Sequence, residues 1–397
     1  MLPTRRTSME AIQESLRIEY ARFCESFGRK ASYYEILQLK TEIGLPLRGY
    51  FPILLQEYVK GGGGVVHLPE KFMFVHLPFV LEGLISVLYY DNQILDKKFG
   101  VVDHKTIRHN LIRRNGLYDE IIKYVRNEVE DGNLSSALVK LLKDIHWMAC
   151  KGQDWEFEYN HYDSWQSLKP LDIDTYFEHS QNQIDLNAVK KARQIVEATH
   201  FIPEGKSQFL DAYFARIYLL NASLFAKTAD FMLRYSDLDL KAKESLTHFA
   251  GLFGIMLQIV NDTCDFVPEY VGQETITKNC CDALSDLRNK NITLPIALHL
   301  IILEESLVKA FLESSLGDKD YLGDHVYAEE LAESHAIYYS MRVGKELEKY
   351  ALSLLVSDNP AYDLIKDMTS VARNNRYYRH FYSLKQHYKQ YQKTTKF

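Results

Sequence analysis

At 397 residues, with 46% apolar and 25% charged positions, the chain suffices for one large helical domain or two ordinary ones and is too apolar to be disordered. Its net charge of −6 comes from well-mixed signs, with no basic stripe for nucleic acid and no Lys/Arg run for an anionic membrane. The five cysteines, at 24, 150, 264, 280 and 281, show neither disulfide nor zinc spacing, which fits a reducing, cytoplasmic setting.

The N-terminal stretch MLPTRRTSMEAIQESL lacks the apolar core of a signal peptide. Over 8–28, Ile12, Leu16, Tyr20 and Phe23 recur at helical spacing. A second helix over 46–59 ends in Gly61–Gly64, a stop and a flexible turn. The most apolar stretch, 72–90, contains His76, Pro78 and Glu82. It predicts a buried helix running to 97 and not a membrane span, because a charge inside a span costs about 2.5–3.5 kcal/mol. Further helices are predicted over 105–130, 134–160, 187–198, 206–235, 241–268, 293–315, 326–356 and 360–390. Residues 161–186, with Pro170, are the most irregular and read as a loop or an insertion, bounded at about 160–205. No long alternating run occurs, and no Asn-Gly or Asp-Gly turn joins two such runs. With no linker, the reading is one all-α domain over 1–397. The 27 tyrosines within a 13% aromatic content either fill helix–helix cores or wall a pocket able to face a carbocation.

Two segments carry chemistry. In GLFGIMLQIVNDTCDFVPE, residues 251–269, Asn261, Asp265 and Glu269 are spaced by four, beside Asp262. On a helix this forms one oxygen-bearing stripe after a mostly apolar run. Acids so placed repel one another unless a cation sits between them, and oxygen ligands without sulfur suit Mg²⁺. In FVLEGLISVLYYDNQILDKK, residues 79–98, an apolar helix again runs into acids: Asp91, Asn92 and Asp96. Two such helices are what a bundle needs to hold a metal site over a diphosphate at the mouth of an apolar cavity.

These residues resemble the trans-polyprenyl synthase family and its terpene-synthase relatives. That family pairs two DDxxD helices, the second in a GxxFQxxDDxxD context, matched here by Gly254, Leu257, Gln258, Asn261, Asp262 and Asp265. A later DLxxGKxTLP segment corresponds to DLRNKNITLP at 286–295, which includes Arg288. A KT pair corresponds to Lys227 and Thr228, with residues 176–183 as the rival position. A GQ pair corresponds to Gly152 and Gln153, with Glu156 at the family's Asp, and Glu82 stands ten residues before Asn92.

The departures matter more than the matches. The first motif reads Asn92-Gln93-Ile94-Leu95-Asp96, so two of three aspartates are amides and Asp91 is the substitute charge. Where chain-elongating members carry a basic cluster, GLPLRG at 44–49 retains only Arg48. The second motif also fits the terpene-synthase frame N/D-D-x-x-S/T-x-x-x-E through Asn261, Asp262, Asp265 and Glu269. Arg216 stands near that group's diphosphate-sensing Arg, and Arg376-Tyr377 matches its late Arg-Tyr pair.

The resemblance implies an isoprenoid-synthase bundle around a central apolar cavity. Three Mg²⁺ ions would be held by Asp91, Asn92, Asp96, Asn261, Asp262, Asp265 and Glu269. Arg216, Lys227, Arg376 and Tyr377 would act on an allylic prenyl diphosphate, with Arg48, Gln153, Gln258 and Arg288 binding substrate. The activity expected first is that of a terpene synthase releasing diphosphate. The alternatives are a prenyltransferase that adds isopentenyl diphosphate and a non-catalytic partner subunit. A homodimer is in keeping with the family.

Overall fold

The structure is a computed structural model that describes residues 47–95, 104–159, 185–199, 209–264, 291–303 and 333–374, with Ile173, Ile202, Phe266, Asp286 and Leu331 as isolated positions. The predicted helix over 8–28 and nearly all of 161–186 lie outside them.

The order is α1 (Leu47–Gly61), a π-helical turn (Phe72–His76), α2 (Leu77–Leu95), α3 (His104–Glu128), α4 (Gly132–Tyr159), α5 (Leu186–Thr199), α6 (Phe209–Ile217), a second π-helical turn (Tyr218–Ala222), α7 (Ser223–Arg234), α8 (Leu240–Cys264), α9 (Leu294–Ile302), α10 (Ala336–Ser353) and α11 (Tyr362–Asn374). The fold is all-α. An isolated β-bridge joins Val66 and Ser236. None of the described helices is long and apolar enough to cross a membrane.

The π turns interrupt two runs that periodicity reads as continuous. At the first, the Leu77 amide reaches back to Phe72 O. Pro78 follows directly, has no N–H for the carbonyl four residues back, and crowds it, so the turn widens. At the second, Asn221 donates Nδ2 to Gly254 O at 2.9 Å. The run predicted over 326–356 is also broken. His335 takes a left-handed conformation, φ 61°, immediately before α10.

The chain forms two compact units, each assembled from separate stretches. The first contains the described parts of Met1–Trp147, Lys227–Glu244 and Val356–Asp367. In it α2 packs on α1 and α3. Phe72 meets Phe231, and Tyr124 meets both His76 and Phe79. The turn after α1 is tied down by Asp237, which accepts from the Val65 amide, and by Asn359, which donates to Tyr58 O.

The second unit contains the described parts of Met148–Ala226, Ser245–Leu355 and Met368–Phe397. In it α6 packs on α5 and α9, and α10 on α5 and α9. Close crossings need glycine here. A Cβ on Gly254 would run into Ala222 Cα, and one on Gly152 would lie 2.9 Å from the Leu220 amide nitrogen. Those approaches bring α4 and α8 against the second π turn, directly after α6.

Candidate active site

The acidic end of α8 belongs to this second unit. Asn261 and Asp262 are successive residues on a helix, about 100° apart around its axis. Asn261 is exposed, whereas Asp262 is buried. The Asp262 carboxylate is held by three donors: Tyr213 Oη at 3.0 Å, Arg216 Nη2 at 3.1 Å and Gln258 Nε2 at 2.6 Å. Tyr213 and Arg216 stand three apart on α6, and Gln258 lies one turn before Asp262 on α8, so helical spacing places all three.

Arg216 also donates Nη1 to Glu156 Oε2 at 3.0 Å, reaching α4. Its side chain is 4% exposed, against 3% for Asp262 and 15% for Glu156. Its Nε is enclosed without a partner among the described residues. The Tyr213 ring lies 5.5 Å from the guanidinium carbon. Burial works to lower the Arg216 pKa, but Glu156 and Asp262 outweigh it and hold the cation above its ordinary range. Burial raises the Asp262 carboxyl above the usual carboxylate range, against the pull of Arg216, and Asp286 pushes the same way as burial. Burial, with Asp262 adding to it, raises the Tyr213 phenol.

The other expected residues fall as follows. Gln153 is half-buried on α4, one turn before Glu156. Lys227 is half-buried on α7 and belongs to the first unit. Arg48, on α1, retains some exposure, although its Nε is enclosed. Burial lowers its pKa, and neighbouring Glu82 acts against that. Glu82 is buried on α2 and accepts from the Gly49 amide at 2.8 Å. Asp91 and Asn92 lie on α2. Asp96, Asp265, Glu269, Arg288, Arg376 and Tyr377 lie outside the described residues. Sequence reasoning missed Tyr213, one of 27 tyrosines with no motif around it.

The donor chemistry fits a hard divalent cation. Near the end of α8 there are carboxylates and amides, Asn261 is open, and the Arg216 cation is paired with Glu156 and Asp262. No group of three potential metal ligands occurs among the described residues. The expected partners of Asn261, Asp265 and Glu269, lie outside them.

No family model matches the chain, and no curated protein sequence matches it. Solved structures do. A polyprenyl synthase from Caulobacter crescentus CB15, complexed with calcium and isoprenyl diphosphate, is 14% identical over 94% of this chain and 97% of that one, with a TM-score of 0.63. This is the fold of the trans-prenyl diphosphate synthases. A decaprenyl diphosphate synthase from Rhodobacter capsulatus gives 0.62 at 13% identity over 94% and 99% of the two chains. A heptaprenyl diphosphate synthase from Staphylococcus aureus gives 0.59 at 16% over 95% and 100%. At such identities the likeness establishes the fold, and chemistry has to be argued from the residues.

Proposed function

We propose that the chain is a metal-dependent prenyltransferase that ionises an allylic prenyl diphosphate and joins the fragment to isopentenyl diphosphate. The observation that carries this is the braced acidic end of α8, with Asn261 exposed beside buried Asp262, set in a fold whose solved members named above are prenyl diphosphate synthases. That weighting departs from the sequence, which favours diphosphate release without a second substrate.

Asn261, Asp265 and Glu269, with Asp91, Asn92 and Asp96, would hold three Mg²⁺ ions. When bound, these supply positive charge to the leaving diphosphate. Asp262 fixes the last turn of α8, and Gln258 braces Asp262. Lys227 and Arg376 are the proposed cationic contacts to phosphate oxygens. In the reaction the allylic C–O bond breaks and diphosphate leaves with the electron pair. The alkene of isopentenyl diphosphate then forms the new C–C bond, and a proton is lost to restore a double bond. An apolar cavity, as the resemblance implies, would exclude water from the cation.

Arg48 supports the second reading, a terpene synthase. It is the one cation left of the expected basic cluster, and it lies beside Glu82, which offsets its charge. Isopentenyl diphosphate would then find few cationic contacts there.

The test is product analysis by mass spectrometry after incubating the full chain and Mg²⁺ with ten-, fifteen- and twenty-carbon allylic diphosphates, with and without isopentenyl diphosphate. The expected result is a longer prenyl diphosphate only when isopentenyl diphosphate is present. A hydrocarbon or alcohol formed without it would replace this reading by the terpene synthase. No diphosphate release under any condition would point to a non-catalytic partner.

A further inference from the structure

As a diphosphate contact, Arg216 would present open guanidinium donors to phosphate oxygens. Instead Nη1 is committed to Glu156 and Nη2 to Asp262, with the side chain enclosed. The location matters as much as the pairing. Asp262 sits in the last turn of α8, which ends at Cys264, and last turns fray because their carbonyls lack intrahelical partners. Glu156 sits on α4, one turn after Gln153. One guanidinium therefore ties the last turn of α8, which carries Asn261, to α4, which carries Gln153.

We propose that Arg216 is a positioning residue, a strut between Glu156 and Asp262 that fixes Asn261 on α8 relative to Gln153 on α4. This rests on the function proposed above and assigns Arg216 a different task from the one the family resemblance gives it. Without Arg216, buried Asp262 loses its cationic donor and keeps only Tyr213 and Gln258, the tie from α8 to Glu156 is cut, and the last turn of α8 loosens. The turnover step then suffers and the grip on diphosphate does not.

The experiment is a double-mutant cycle on the full chain, with wild type, Glu156→Gln, Arg216→Gln, the double variant, and Arg216→Lys. Each is read for kcat and KM with an allylic diphosphate at saturating Mg²⁺, and for affinity toward inorganic pyrophosphate by calorimetry. Arg216→Gln is expected to lose about tenfold or more in kcat, with KM and pyrophosphate affinity within about threefold of wild type. The double variant should be no worse than Arg216→Gln, because both substitutions break the same strut. Arg216→Lys should recover part of the loss by holding one carboxylate. KM and the pyrophosphate dissociation constant rising about tenfold together, with Glu156→Gln silent, would make Arg216 a diphosphate contact and overturn the strut. Unchanged kinetics in every variant would overturn it as well. If Arg216→Gln fails to fold by circular dichroism, Glu156→Gln and Arg216→Lys carry the comparison. If the wild-type chain releases no diphosphate, the proposed function falls. The cycle is then read in unfolding midpoints, where additive losses sink the strut and non-additive ones retain it.

Discussion

Asn261 and Asp262 are adjacent in the chain, yet their surroundings give them opposite tasks. Asp262 is turned inward to three donors and braces the helix, whereas Asn261 is exposed and makes no contribution to the core. Asn261→Ala should therefore abolish diphosphate release while changing unfolding free energy by less than about 0.5 kcal/mol, as exposed substitutions usually do. Activity and urea unfolding on one preparation check this, and full activity would place the metal site elsewhere. The sequence shows that the two side chains point in directions about 100° apart. It does not show which one faces the core, because that depends on Tyr213 and Arg216, which are brought in by α6 from 46 or more residues away. The same limit hides Tyr213 and gives Arg216 a part read from spacing alone.

The elements were the most legible level, because amphipathic periodicity is local. The predicted 105–130, 134–160 and 187–198 correspond to His104–Glu128, Gly132–Tyr159 and Leu186–Thr199. The π turns escaped because one widened turn leaves composition and apolar spacing almost unchanged. The glycines at helix crossings were legible only as a motif letter, since the reason for them lies across space. Gly254→Ala should cost on the order of 1–3 kcal/mol, since its Cβ would strike Ala222 backbone. Gly116→Ala, on α3 with open space around it, should instead stabilise by about 0.4–1 kcal/mol. Urea unfolding of both variants checks the contrast, and equal effects would remove the close crossing as the reason for Gly254. The first π turn ends in His76, whose Nδ1 lies 2.6 Å from Tyr124 Oη. Burial, with Lys71 adding to it, lowers its pKa from 6.5 to about 4. The folded state thus resists a proton that the unfolded chain accepts below 6.5. Stability is full above that pH and declines as pH falls toward about 4, by up to roughly 3 kcal/mol. His76→Gln should flatten unfolding midpoints between those pH values, and an identical slope in both proteins would show that His76 titrates normally.

At the scale of the whole molecule, the all-α fold follows from the sequence, and the choice between terpene synthase and prenyltransferase does not. That choice turns on where cations stand, and Arg48 shows that a cation present in sequence can be offset in the fold by a neighbour such as Glu82. Both reactions share one requirement, that diphosphate is held through metal. A ligand that binds only the folded state stabilises it by RT ln(1 + [L]/Kd), about 2.7 kcal/mol at a hundredfold excess over Kd. For 397 residues, at roughly 2.1 cal/mol/K of unfolding entropy each, that is about 3 °C in Tm. Inorganic pyrophosphate and Mg²⁺ together should produce such a rise, and either alone much less, because carboxylates near α8 repel the bare anion and the cation screens that repulsion. Thermal scans with each addition separately and with both measure this directly. An equal rise with pyrophosphate alone would mean that side-chain cations hold the diphosphate and that the acidic segments have another purpose. No rise with both present would remove diphosphate from the site altogether, whichever reaction the fold suggests.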